Sequence, residues 1–170
     1  EEDAEGLVDL KNLEAELIKY ADRPLKIGSF SAASNVTGII TNTDDVTSML
    51  HRHGALSAWD YATAAPYVPI HMNRPDDADN NLSKDVIFIS PHKFAGGPDT
   101  PGVLIVKRSL LKNKVPVIPG GGTVSYVSAN EHRYIDDPVH REEGGTPEIV
   151  GAIRAGLVFQ LKETVGTDDI

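Results

Sequence analysis

Val86-Ile87-Phe88-Ile89-Ser90-Pro91-His92-Lys93-Phe94-Ala95-Gly96-Gly97-Pro98 is the stretch that decides how this chain reads. Its first four residues form a continuous apolar run bounded by polar residues, the pattern of a fully buried strand. Ser90 and its successors leave the C-terminal end of that strand, where ligands sit in open α/β sheets. A lysine there can lose solvation, lower its pKa and attack an aldehyde as a free amine. Ser90 and His92 are placed to donate hydrogen bonds to an anion beside Lys93. Gly96 and Gly97 permit backbone conformations and close approaches that side chains block. Taken alone, the string fits a solvent lysine in a Gly-Pro turn equally well.

Working outward, the pattern alternates between helix and strand. Leu7, Leu10, Leu13, Leu17 and Ile18 recur at helical spacing, and Pro24 closes that helix. Residues 26–30 and 55–59 are short strands, with a helix between them. That helix takes Thr43 as N-cap, carries Val46, Met49 and Leu50 as its buried stripe, and ends near Gly54. Residues 76–83 read as a polar surface loop, residues 102–107 as another strand and residues 116–126 as a Gly- and Pro-rich loop. Thr146, Pro147 and Glu148 open the last helix as N-cap, N1 and early-turn acid. Val150, Ile153, Leu157, Val158 and Leu161 form its apolar face, and Gly166 suits its end. The expectation is an α/β fold, a mostly parallel sheet with flanking helices.

A length of 170 residues fits one domain, and 40% hydrophobic with 24% charged residues is an ordinary globular profile. The formal net charge of -9 gives no basic footprint for nucleic acid. No apolar run is long enough to span a bilayer, and no stretch reads as a secretory leader. A first residue of Glu1 fits an excised or processed piece. Cysteine is absent, which excludes disulfides and thiolate metal sites and fits a cytoplasmic setting. No metal site is expected. His51 and His53 point to different faces of a helix, and His71, His132 and His140 have no ligand spacing. Asp136-Asp137 and Glu142-Glu143 read as solvated acidic surface. Gly120-Gly121-Gly122 has no following lysine and is not a Walker loop.

Residues 90–108, SPHKFAGGPDTPGVLIVKR, resemble the Schiff-base segment of the class V aminotransferase and cysteine desulfurase family, fold-type I enzymes that use pyridoxal 5'-phosphate (PLP). The resemblance implies that Lys93 is the catalytic lysine, forming a Schiff base with PLP and serving as general base, while Ser90 and His92 hold the phosphate. Three more matches occur in the family's order. Ser34-Asn35-Val36-Thr37-Gly38 resembles the loop whose Asn, here Asn35, contacts the substrate carboxylate or the cofactor edge. Trp59-Asp60-Tyr61-Ala62-Thr63 resembles the family's Asp-Gly-Ala-Gln segment. There the resemblance gives Asp60 the pyridinium nitrogen and Ala62 the ring face. Glu143-Gly144-Gly145-Thr146-Pro147 resembles the Gly-Thr-Pro whose Thr, here Thr146, reaches the phosphate of a neighbouring subunit, so a homodimer is implied.

The physics of Asp60 agrees with that role. PLP is an electron sink only while its ring nitrogen stays protonated or strongly hydrogen-bonded, and a carboxylate supplies the counter-charge. A turn or cap role is the alternative. Two positions depart from the family. Tyr61 stands where it has Gly, and Thr63 stands where a longer side chain usually touches the PLP phenolic oxygen. The resemblance also implies that residues 1–170 are only part of the PLP-binding large domain. An N-terminal cofactor segment with a Gly/Thr phosphate turn, and a C-terminal small domain with a substrate-binding Arg, lie outside it. The implied activity is PLP-dependent chemistry on an amino acid, by transamination, desulfuration or elimination. A non-catalytic remnant that retains only the fold is the alternative.

Overall fold

The computed structural model describes residues 1–74 and 82–170. Helix α1 (Leu10–Lys19) leads to strand β1 (Ile27–Ser31), helix α2 (Thr43–Arg52), strand β2 (Leu56–Asp60), strand β3 (Val86–Ile89) and strand β4 (Val103–Val106). A hairpin of β5 (Val124–Val127) and β6 (His132–Tyr134) comes next, then helix α3 (Pro138–Glu142) and helix α4 (Ile149–Val165). The main sheet has the order β1-β2-β3-β4. β1, β2 and β3 are parallel, and β4 returns antiparallel beside β3. The expected α/β class, mostly parallel, is what forms. Among the described residues no helix is long and apolar enough to cross a membrane.

Helix starts are set by side-chain oxygens. The Asp9 carboxylate accepts from the amides of Lys11 and Asn12 at 2.9 and 3.1 Å, so α1 begins at Leu10 and leaves Leu7 outside. The cap of α2 is Asn42, one residue before the expected Thr43, with its Oδ1 accepting from the Asp45 amide at 3.3 Å. Gly54, at φ +66°, lets the chain turn back into β2. Val46, Met49 and Leu50 of α2 are buried, with Trp59 of β2 and Ile87 of β3 in the same core. Trp59 is wholly buried, and its indole N–H donates to Thr47 Oγ1 at 2.9 Å.

Other expectations need correcting. First, β3 is not buried on both faces. Ile87 and Ile89 are buried, but Phe88 is 45% exposed and its β4 neighbour Leu104 57% exposed. Phe88 points to the face opposite that of Ile87 and Ile89, so the run alternates in burial although not in composition. Second, of the face expected of α4 only Val158 is buried. Val150, Ile153, Leu157 and Leu161 are exposed, while Gly151, Ala155 and Val158 pack inward. The reason is close approach. A Cβ at Gly151 would overlap the Asp99 carbonyl, so only a small-residue stripe can lie against that backbone. Third, Thr146 does not cap α4. The cap position is Glu148, and Thr146 is an exposed loop residue before it. Fourth, the expected loop at residues 116–126 already contains the start of β5. Of the polar stretch 76–83, residues 76–81 lie outside the described residues, and Ser83 is buried rather than on the surface.

At the N-terminal end of β3, the edge opposite Lys93, the sheet is tied by charge. Asp85 Oδ2 meets His51 Nε2 at 2.8 Å and accepts from the Ser57 amide at 2.9 Å, while Oδ1 meets Lys107 Nζ at 3.0 Å. Burial alone would raise the Asp85 carboxyl, but the Ser57 amide, His51 and Lys107 outweigh it and hold it below the usual 3.8. A depressed folded pKa stabilises the fold above the unfolded value and loses that contribution as pH falls through the folded one. Asp85→Asn should therefore lower stability by about 2–3 kcal/mol at neutral pH. Its unfolding free energy should also fall less steeply than the parent's between about pH 5 and pH 2. Denaturant unfolding at several pH values checks this, and parallel pH curves for the two proteins would refute it.

Candidate active site

Parallel register brings the C-terminal ends of three strands to one edge. Ser31, Asp60 and Phe88 lie abreast, and hydrogen bonds continue the alignment past the strands. The Ala32 amide donates to Asp60 O at 2.8 Å, and the Tyr61 amide donates to Phe88 O at 2.8 Å. The loops leaving this edge carry the candidate residues. Asn35, Asp60, Ala62, Thr63 and Lys93 line a single cleft of about 480 Å³, walled on the far side by Glu2, Gly6 and Val8.

Each side chain is positioned by local chemistry. Asp60 ends β2, and its Oδ1 accepts from the Ala62 amide at 2.7 Å. Asp60 thus makes a turn bond with one oxygen and also lines the cleft. Asn35 sits in a turn tied by Ser34, whose Oγ accepts from the amides of Val36 and Thr37 at 3.2 Å each. Gly38 closes that turn at φ +75° and donates its amide to Ser34 O at 3.0 Å.

Lys93 ends a single 3₁₀ turn, Pro91–Lys93, whose first carbonyl bonds are Lys93 N to Ser90 O and Phe94 N to Pro91 O, both 3.0 Å. The turn is held down by Phe94, which is buried and meets Phe159 of α4 edge-on at 5.0 Å. Gly97 sits so close beneath the turn that a Cβ would overlap the Pro91 carbonyl, and Gly96 adopts φ +78°. The two glycines are thus required by space and by dihedral angle respectively.

The remaining candidates lie differently. Ser90 is half-buried and His92 exposed; they flank Lys93 in its turn without lining the cleft. Lys93 is itself exposed, so this chain does not desolvate its amine in the way the sequence led one to expect. Thr146 is exposed on a loop outside the cleft. That loop is tied to the glycine run, Gly145 N donating to Gly121 O at 2.7 Å. Tyr61 turns away from the cleft into the core, where burial raises its phenol while a bond with Thr43 opposes the shift. No group of three or more potential metal ligands occurs among the described residues.

Sequence reasoning missed Lys162. It projects from α4 and donates to Ala65 O at 2.5 Å and Val68 O at 2.6 Å. Burial lowers its pKa. A lone lysine within an apolar helix was the signal that marked it.

The chain is similar to known proteins along nearly all of its length. A probable cysteine desulfurase of Halalkalibacterium halodurans is 32% identical over 166 residues, 98% of this chain and 38% of the relative. One from Chlamydia muridarum is 34% identical over 161 residues, 95% of this chain and 37% of the relative. The solved apo structure of a cysteine desulfurase from Thermococcus onnurineus superposes with a TM-score of 0.80 at 27% identity, covering 99% of this chain and 39% of that one. The chain therefore spans well under half the length of the relatives it matches. The family model for class V aminotransferases matches residues 1–170. With four ordered sequence motifs, a matching sheet and a family match from end to end, the chain belongs to the class V aminotransferase family.

Proposed function

We propose that this chain is the lysine-bearing core of a PLP-dependent enzyme acting on an amino acid. The carrying observation is that Lys93 and Asp60 line one cleft at the C-terminal edge of parallel strands, together with Asn35, Ala62 and Thr63. That donor set fits the cofactor: a primary amine for its aldehyde, a carboxylate for its ring nitrogen and a methyl for its ring face. Bound there, PLP supplies the electron-withdrawing ring that stabilises negative charge next to the reacting carbon. The similarity to cysteine desulfurases favours sulfur removal from cysteine over transamination. This chain contains no cysteine, so a sulfur-accepting thiol would come from elsewhere in the full enzyme. We place the enzyme in the cytoplasm, in keeping with that absence.

In this reading Lys93 would hold the cofactor through its amine and would carry the proton removed from the substrate. Its exposure implies that the bound cofactor, rather than this chain alone, displaces water from the amine. Asp60 would supply the counter-charge for the ring nitrogen, its carboxylate already oriented by the bond from the Ala62 amide. Ala62 packs against the ring. Thr63 lies within the cleft but is shorter than the side chain the family usually places at the phenolic oxygen. Asn35 holds the substrate carboxylate. Ser90 and His92 hold the phosphate from the lysine turn, and Thr146 of a second subunit completes its donors, making the enzyme a homodimer. A buried phosphate needs several donors, because each lost water bond must be replaced.

Borohydride reduction of the full-length holoenzyme followed by peptide mapping should place the pyridoxyl group on Lys93, and label on another lysine would sink the assignment. Asp60→Ala should keep the cofactor but lower turnover about thirtyfold or more, the cost of leaving a desolvated charge without its partner; unchanged turnover would make Asp60 a turn residue only. Thr146→Ala should weaken PLP binding by about 1–3 kcal/mol, as expected for a lost charge-assisted hydrogen bond. Absorbance titration of the apo-enzyme reads that loss, and equal affinity would remove Thr146 from the site.

A further inference from the structure

Residues 61–68 leave β2 as a compact turn. Ala65 N donates to Tyr61 O at 2.8 Å and Val68 N to Ala64 O at 3.1 Å. Like the end of a short helix, this turn leaves carbonyls without an internal donor. The Lys162 ammonium supplies one, reaching Ala65 O at 2.5 Å and Val68 O at 2.6 Å. The same ammonium lies 5.8 Å from the centroid of the Phe94 ring. Phe94 directly succeeds Lys93, and residues 60–63 directly precede the turn. One half-buried cation thus bridges the two segments that adjoin the cleft-lining residues Asp60–Thr63 and Lys93. No carboxylate forms an ion pair with it among the described residues, so its partners within the chain are carbonyl dipoles and an aromatic face. A second tie on α4, Arg154 Nη1 to Pro98 O at 2.7 Å, holds the far end of the lysine loop.

We propose that Lys162 is a positioning residue that fixes the Asp60–Thr63 loop relative to the Lys93 turn. It acts through backbone carbonyls and the Phe94 ring, not by touching the cofactor. This rests on the reading of Lys93 and Asp60 as the cofactor's partners. An apolar side chain at 162 keeps the packing of α4 but frees the two carbonyls, and residues 60–68 then sample positions in which Asp60 and Lys93 do not meet one ligand together. Charge assistance is central to the hold, since a neutral donor is a weaker partner for two carbonyls.

The test uses the full-length enzyme as wild type, Lys162→Met and Lys162→Arg. In the apo-enzymes, hydrogen exchange should speed up about tenfold or more at the amides of Ala65 and Val68 in Lys162→Met, with Ile87 and Trp59 unchanged, since loss of charge-assisted bonds is worth about that factor. In the holoenzyme the pH midpoint of the cofactor's absorbance band should shift, and kcat should fall while KM stays within about twofold. Lys162→Arg should restore both. Wild-type exchange rates and an unshifted band in Lys162→Met would overturn the proposal, as would a loss confined to melting temperature that Lys162→Arg does not repair. Borohydride mapping of the wild type separates the two levels. Label on Lys93 with an inert Lys162→Met defeats the positioning role alone, whereas label elsewhere defeats the site and the role together.

Discussion

Parallel alignment of β1, β2 and β3 is the constraint on which the rest of the molecule depends. Because Ser31, Asp60 and Phe88 lie abreast, every loop leaving these strands emerges at the same edge. An antiparallel β3 would send the Ser90–Pro98 backbone to the opposite edge and part Lys93 from Asp60. The register is held from within by Trp59 and Ile87, two wholly buried side chains on adjacent strands, and by the Trp59 bond to Thr47 that fixes α2 above them. The antiparallel β4 costs nothing here, since its ends carry no candidate residue.

Charge is divided between the two edges of the sheet. At the N-terminal edge, Asp85 is satisfied on both oxygens by His51, Lys107 and Ser57, and this closed set stabilises the fold. A Ser-His-Asp trio there invites a catalytic reading, but Ser57 is wholly buried and its hydroxyl serves Asp85 as well as lying 3.5 Å from His51. Nothing can reach it. At the C-terminal edge the polar groups are left facing a cleft, with Asp60 half-used and Lys93 exposed. Polar groups paired with one another hold structure, whereas those left facing a cleft are open to a ligand, and the same strands carry one kind at each end.

The strands and helices of the main sheet were legible because their signals are local. Apolar runs, caps and the glycines after Lys93 depend on neighbours within a few residues. What was not legible depends on distant contacts. The exposure of Phe88 comes from which sheet face is covered, and four apolar letters in a row cannot encode that. On α4 nearly every face is apolar, so periodicity named the large side chains when the Asp99 backbone admitted only Gly151 and its small neighbours. The β5–β6 hairpin was hidden by the glycines before it. The Lys162 bonds join residues 94 and 97 positions apart, beyond any sequence window. Five of the residues that line the cleft were nameable in advance, but only the fold shows that they share it.

Tyr61 is where fold and chemistry bear on each other most directly. A side chain in place of glycine between Asp60 and Ala62 would fill the cleft if it pointed there. Strand alternation continues through the Tyr61 amide bond to Phe88 O, so residue 61 must face opposite to Asp60. Tyr61 therefore enters the core beside α2, where its hydroxyl bonds with Thr43. A buried phenol needs such a partner, and α2 supplies it at its first residue. The departure from the family pattern is thus absorbed behind the sheet edge. It adds a tie between α2 and the Asp60 loop while leaving the cleft open, so this departure strengthens the wall behind the site.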